Sequence, residues 1–114
     1  MSIPGLRITR EKPATIHSRN LIAELSAELA ARYGDDGTGA FTPQDVMIPR
    51  AAFVVAWLDS EAIGCGALRP MPDTTIAEVK RMYVRSAARG KGIAVSILEK
   101  LEVLAGEFGY QKIW

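Results

Sequence analysis

Residues 84–94 read Val-Arg-Ser-Ala-Ala-Arg-Gly-Lys-Gly-Ile-Ala, and here residue types and spacing are suited to chemistry. A strand-like pattern ends and a helical period begins. The first-turn N–H groups of a helix have no intrahelical acceptor and sit at the positive end of the helix dipole. Gly90 and Gly92 have no Cβ, so oxygens of an anion can approach the backbone closely. Arg89 and Lys91 add charge. Residues 69–91 carry six basic side chains (Arg69, Lys80, Arg81, Arg85, Arg89 and Lys91) against Asp73 and Glu78. An anionic ligand is the expectation. The plainer alternative is a tight strand-to-helix connection beside a solvated basic surface. The spacing is neither that of a P-loop nor that of a dinucleotide fingerprint.

Other reactive residue types have stronger structural readings. Cys65 lies in an apolar run, where a lone cysteine is a small core residue before it is a nucleophile. His17, the one histidine, precedes a helix and reads as a surface residue. Asp35 and Asp36 sit in a glycine-rich stretch read as a mobile loop.

The elements that position these residues follow from periodicity. Residues 6–9 alternate and read as a first strand, with Pro13 beyond its end. A helix follows, capped by Ser18, with Leu21, Ile22, Leu25 and Leu29 on one face and Gly34 as its stop. Thr42 and Pro43 read as the start of a short helix. Residues 51–58 and 62–68 form a hairpin around the turn Asp59-Ser60-Glu61, and Phe53 and Trp57 read as core. Residues 75–84 form a third, longer strand. Simple alternation puts Glu78, Lys80, Met82 and Val84 on one face and Val79, Arg81 and Tyr83 on the other. The next helix has an apolar stripe of Ala94, Ile97, Leu98, Leu101, Leu104 and Phe108, and Gly109 ends it. Residues 110–114 begin another strand.

Composition sets the outer bounds. With 114 residues the chain reads as one domain over residues 1–114, without separate cofactor and substrate lobes. One cysteine excludes an internal disulfide framework, and one histidine excludes a His-rich metal site. No metal is expected. A net charge of +1 gives the whole molecule no pull toward nucleic acid or a membrane surface, and no run approaches the ~20 apolar residues of a membrane span. The first residues lack the pattern of a secretory signal, so the cytoplasm is the expected compartment.

Arg89, Gly92 and Ala94, in the pattern Arg-x-x-Gly-x-Ala after a long strand and at a helix start, resemble the acyl-CoA signature of the GNAT superfamily of N-acyltransferases. The resemblance is most specific over residues 77–114, and the preceding order of elements is similar as well. It implies an α/β (α+β) fold: a mixed, mostly antiparallel sheet flanked by helices. It further implies transfer of an acetyl group from acetyl-CoA to a primary amine by direct attack in a ternary complex. The implied cofactor contacts are the backbone of Arg89, Gly90, Lys91, Gly92, Ile93 and Ala94 for the pyrophosphate. The backbone of Met82, Tyr83 and Val84 would pair with the pantetheine arm. The Met82 N–H would face the thioester carbonyl as an oxyanion donor. Glu78 matches the position of a glutamate base in some members and would act through a water. Its alternative is an ion pair with Lys80, with Arg81 or with the first helix. Arg85 reaches a phosphate or is merely solvated.

A domain of this family normally continues with a further helix and strands. Their absence after Trp114 implies a fragment or a site completed by a second chain. An exposed final strand is expected to make the chain a homodimer through that edge. The alternative reading is a non-catalytic scaffold that binds CoA or only dimerises.

Overall fold

The apolar runs become the middle of one five-stranded sheet in the computed structural model, which describes residues 3–33 and 46–114. Strands β1 (Leu6–Glu11), β2 (Ala52–Leu58), β3 (Glu61–Pro70) and β4 (Ile76–Val84) form an antiparallel meander, and β5 (Lys112–Ile113) lies parallel to β4. Helix α1 (Ile16–Tyr33) packs on one face and helix α2 (Ile93–Glu107) on the other. This is the mixed, mostly antiparallel architecture expected. β2 and β3 are apolar almost throughout because both of their faces are covered. Leu21, Phe53, Val55 and Cys65 are buried on the α1 side. Val54, Leu68, Ile97 and Leu101 are buried on the α2 side. Each large side chain so removed from water contributes roughly 1.5–3 kcal/mol.

Several expectations shift on contact with the structure. Thr15, not Ser18, caps α1: the Ser18 N–H donates to Thr15 Oγ1 at 3.4 Å, and Ser18 is itself buried inside the first turn. The α2 stripe is rotated by about one residue. Ile93, Ile97, Leu101, Leu104 and Ala105 are buried, whereas Ala94 and Leu98 are exposed. Trp57 is half-buried, its Nε1–H donating to Thr9 Oγ1 at 2.8 Å and its ring meeting exposed His17 edge-on. The expected loop with Asp35 and Asp36 and the short helix at Thr42 lie outside the described residues.

The largest correction concerns β4. Cys65 pairs with Tyr83, but Ala67 pairs with Lys80, so Arg81 and Met82 together stand opposite Gly66. Arg81 adopts a left-handed φ of 56°, the extra residue of a β-bulge. Before the bulge, Ala77 and Val79 face the α2 core. After it, Met82 and Val84 do. Glu78 and Met82 therefore lie on opposite faces, because one additional residue reverses the alternation between them.

Past α2 the chain closes in a Schellman turn. The Tyr110 N–H donates to Ala105 O and the Gly109 N–H to Gly106 O, with Gly109 at φ 85°. Arg50 fastens this end. Its Nε donates to Phe108 O at 3.0 Å and its Nη1 to Thr74 O at 2.8 Å. Its guanidinium lies 4.1 Å from the Tyr110 ring centre, and the Tyr110 hydroxyl donates to Arg50 O at 2.6 Å.

Candidate active site

The bulge separates an edge that is paired from an edge that is open. β5 pairs with β4 at Ile76 and Ala77, and the last ladder bond runs from the Val79 N–H to Trp114 O. Beyond Val79 only β3 pairs with β4 among the described residues. The Arg85 N–H donates to Ile63 O on β3 at 2.8 Å. Antiparallel alternation then turns the N–H and C=O of Val84, and of Met82 two residues earlier, toward the open edge. A cleft of about 330 Å³ lies along this edge, lined by Leu25, Glu28 and Leu29 of α1, by Met82, Tyr83 and Val84, and by Arg89 and Ala94.

The glycine turn runs between two residues of the cleft wall, Arg89 and Ala94. After a short 3₁₀ turn (Ser86–Ala88), Gly90 and Gly92 take φ values of 81° and 80°. Side chains rarely adopt that conformation, so glycine is required by the backbone path. A Cβ built on either glycine meets no protein atom within 4 Å, so the space over both is open. Gly92 is the N-cap of α2 and supplies no side-chain cap. The first turn of α2, without a side-chain cap, thus adjoins open space over two glycines, an arrangement suited to a diphosphate.

Half of the basic excess read from the sequence is cancelled from α1. Arg85 donates to Glu24 through Nε at 2.9 Å and Nη2 at 2.7 Å. Arg89 donates from Nη2 to both Glu28 oxygens at 2.9 and 2.8 Å. The Tyr83 hydroxyl also donates to Glu24 at 3.2 Å. The Arg85 guanidinium holds the Glu24 carboxyl below its ordinary value, against an opposing effect of burial. Burial and then the Glu24 charge push the Tyr83 phenol up. Arg85 is therefore held by Glu24 and not merely solvated. Lys91 makes no ion pair among the described residues and remains the cation at the turn.

Glu24 and Glu28 are the residues that the sequence reading missed. A signal was present: two glutamates at i and i+4 on one helix repel each other, and on a half-buried face they call for cations from elsewhere. The structure brings Met82, Tyr83, Val84, Arg89 and Ala94 into one cleft; Gly90, Lys91, Gly92 and Ile93 connect Arg89 to Ala94 but do not line it, Ile93 being buried in the core and Lys91 and Gly92 bordering a separate cavity with Ile3 and Ser96. Glu78 does not line it. Its Oε1 accepts from Arg69 Nη2 at 3.2 Å and Lys80 Nζ at 3.2 Å, on the α1 side of the sheet. Cys65 is fully buried, its thiol 3.3 Å from Arg81 O and pushed up by burial to about 12, which removes it as a nucleophile.

Residues 19–114 match the acetyltransferase (GNAT) family. The chain belongs to that family. This GNAT chain is 33% identical over 100 residues to an IAA acetyltransferase of Azospirillum brasilense, covering 88% of itself and 65% of that relative. It superposes with a TM-score of 0.69 and 20% identity on a GNAT family acetyltransferase of Elizabethkingia anophelis with acetyl-CoA bound, covering 97% of itself and 64% of that structure. A second solved structure is an aminoglycoside acetyltransferase from an uncultured soil metagenomic sample, in complex with sisomicin. The TM-score there is 0.71 at 13% identity, with 96% of this chain and 76% of that one covered. The GNAT chain thus spans about two thirds of the length of the curated relative it matches.

Proposed function

We propose that this GNAT chain carries the cosubstrate half of an N-acetyltransferase site, moving an acetyl group from acetyl-CoA to a primary amine by direct attack in a ternary complex. One observation carries the reading: an open strand edge after a bulge runs straight into an uncapped helix N-terminus over two glycines. An extended amide chain ending in a diphosphate fits that shape. Such a chain adds as a short strand beside Met82, Tyr83 and Val84, and its phosphates meet the N–H groups of residues 89–94. The acetyl-CoA in the Elizabethkingia protein supports this choice of ligand.

The Met82 N–H, turned to the open edge, donates to the thioester oxygen as negative charge builds there. The amine must approach perpendicular to the plane of the thioester. The Met82 side chain turns into the α2 core, where Ile97 and Leu101 pack over Gly66 of β3, so the approach is assigned to the α1 side. Glu78 lies on that side, and we assign it as the base that takes the amine proton through a water. Its opposite placement to the Met82 side chain is compatible with this role, because Met82 acts through its backbone. The acceptor is a small-molecule or peptide amine, and the sisomicin complex of a structural neighbour supports the small-molecule class.

Two finer assignments accompany the activity. The cytoplasm is the assigned compartment, consistent with a single free and buried thiol. A homodimer is assigned through the β5 edge. Leu98, Ile113 and Trp114 line an open cavity of about 540 Å³ there, and Trp114 is 75% exposed. Sedimentation at micromolar concentration is expected to give a dimer, and a monomer removes that assignment. No described helix is long and apolar enough to cross a membrane.

Calorimetry with CoA and ATP, followed by thiol release from acetyl-CoA across a panel of amines, tests the activity. CoA binding with amine-dependent release is the expected result. Equal binding of CoA and ATP overturns the cosubstrate assignment. CoA binding without release for any amine leaves a binding scaffold in place of an enzyme.

A further inference from the structure

Arg89 joins the two walls of the cleft. Its Nε donates to Val84 O at 2.7 Å, while its Nη2 holds Glu28 on α1. Val84 O is the open-edge acceptor that an added strand needs, and Val84, Arg89 and Glu28 all line the same cleft. The guanidinium therefore lies across the path along which an amide chain would pair.

The bond is placed so that it can be released. Glu28 Oε1 also accepts from Arg32 Nη2 at 3.0 Å, so Glu28 keeps a cation when Arg89 turns away. The guanidinium needs a new anion in exchange, and a diphosphate presents oxygens that match its planar fork. Arg85 differs: both of its short bonds go to Glu24, and none of its hydrogen bonds goes to an edge carbonyl among the described residues.

We infer that Arg89 is a specificity-determining strap, which rests on the acetyl-CoA reading above. An amide N–H of the entering ligand takes Val84 O, and the ligand's phosphates receive the displaced guanidinium. A phosphate-free pantetheine must displace the same bond and offers nothing in return. The site thereby selects phosphate-bearing thioesters more strongly than the glycine turn does alone.

The test compares CoA with pantetheine on the whole chain, with dissociation constants taken from amide shifts in NMR titrations. Arg89→Lys keeps the charge but has a single ammonium, which cannot hold Glu28 and Val84 O with separate planar donors. Loss of one competing hydrogen bond is expected to tighten pantetheine by roughly two- to tenfold. The CoA-to-pantetheine ratio narrows accordingly. Glu28→Gln, which loosens the other end of the strap, is expected to tighten pantetheine by less and serves if Arg89→Lys does not fold. Unchanged or weaker pantetheine binding in a folded variant overturns the strap while leaving the acetyl-CoA reading intact. If the unaltered chain binds neither CoA nor pantetheine, both fall.

Discussion

Residues 76–79 and residues 82–84 belong to one strand, yet their surroundings differ at each edge. The first stretch is paired on both sides, with Glu78 opposite Arg69 on β3 and Ala77 opposite Ile113 on β5. Its carboxylate is matched within the sheet, by Arg69 and Lys80. The second stretch is paired on one side only, and the cations that follow it are matched from outside the sheet by Glu24 and Glu28. A single inserted residue at Arg81 divides them. The left-handed backbone there costs about 1 kcal/mol or more, and the return is an open edge next to the glycine turn. The pairing of the backbone and the source of the counter-charges thus change within a few residues of one strand.

The comparison breaks most visibly if the paired half does chemistry. Glu78→Gln is expected to lower turnover about 10²-fold while changing the CoA dissociation constant by less than about twofold. Wild-type turnover across pH 6 to 9 would leave Glu78 as a sheet ion pair and nothing more. The next effect belongs to the open half. Gly92→Val forces a β-branched residue to a φ of 80° and places its Cβ in the open space where the proposed site would hold phosphate. A loss of CoA affinity of about tenfold or more is expected by calorimetry. An unchanged affinity with intact circular dichroism would remove the phosphate from this turn.

Smaller effects sharpen the contrast around the bulge. A Cβ on Gly64 would stand 2.8 Å from Tyr83 O, a backbone atom. One on Gly66 would stand 2.9 Å from Met82 Sδ, near the flexible end of its side chain, and 2.9 Å from Ile97 Cγ2. Gly64→Ala is expected to destabilise by about 1–3 kcal/mol in urea unfolding, and Gly66→Ala by less. The reverse order would mean that the sheet backbone yields more easily than the packed side chains. The smallest effect is that of acid. Because Arg85 lowers the Glu24 pKa, the stabilisation from this pair is complete above the ordinary value of 4.5. It is lost as pH falls through the lowered value. The stability difference between the unaltered chain and Glu24→Gln should shrink below pH 4.5. A difference constant down to pH 3 would show that the pair is screened into irrelevance.

The hairpin, the period change after residue 84, the amphipathic α2 and the glycine turn were legible because each is a local pattern. The bulge was also written in the residues, though the alternation rule conceals it. Ala77 and Val79 are apolar at odd positions, Met82 and Val84 at even ones, and only an extra residue reconciles both with one core. The charge excess over residues 69–91 misled because its partners Glu24 and Glu28 lie about 60 residues away in the chain. The helix details failed for geometric reasons. Thr15 captures the Ser18 N–H, and a shift of one residue on α2 moves Ala94 and Leu98 out of the core. Arg50 carried no readable signal, since its partners are backbone carbonyls and a ring brought close only by folding.

Arg50 also has a consequence for the order of folding. The meander of β1 to β4 includes hairpins that close over short stretches of chain, whereas β5 pairs only after α2 has crossed the sheet. The Arg50 bonds to Thr74 O and Phe108 O span 24 and 58 residues, so they complete a closure that the hairpins precede. Contacts formed after the rate-limiting step resist unfolding without hastening folding. Arg50→Ala should steepen neither arm of a chevron plot but should raise the unfolding rate by roughly tenfold, leaving the refolding rate within about twofold. A slowed refolding arm would instead place the docking of β5 inside the folding nucleus.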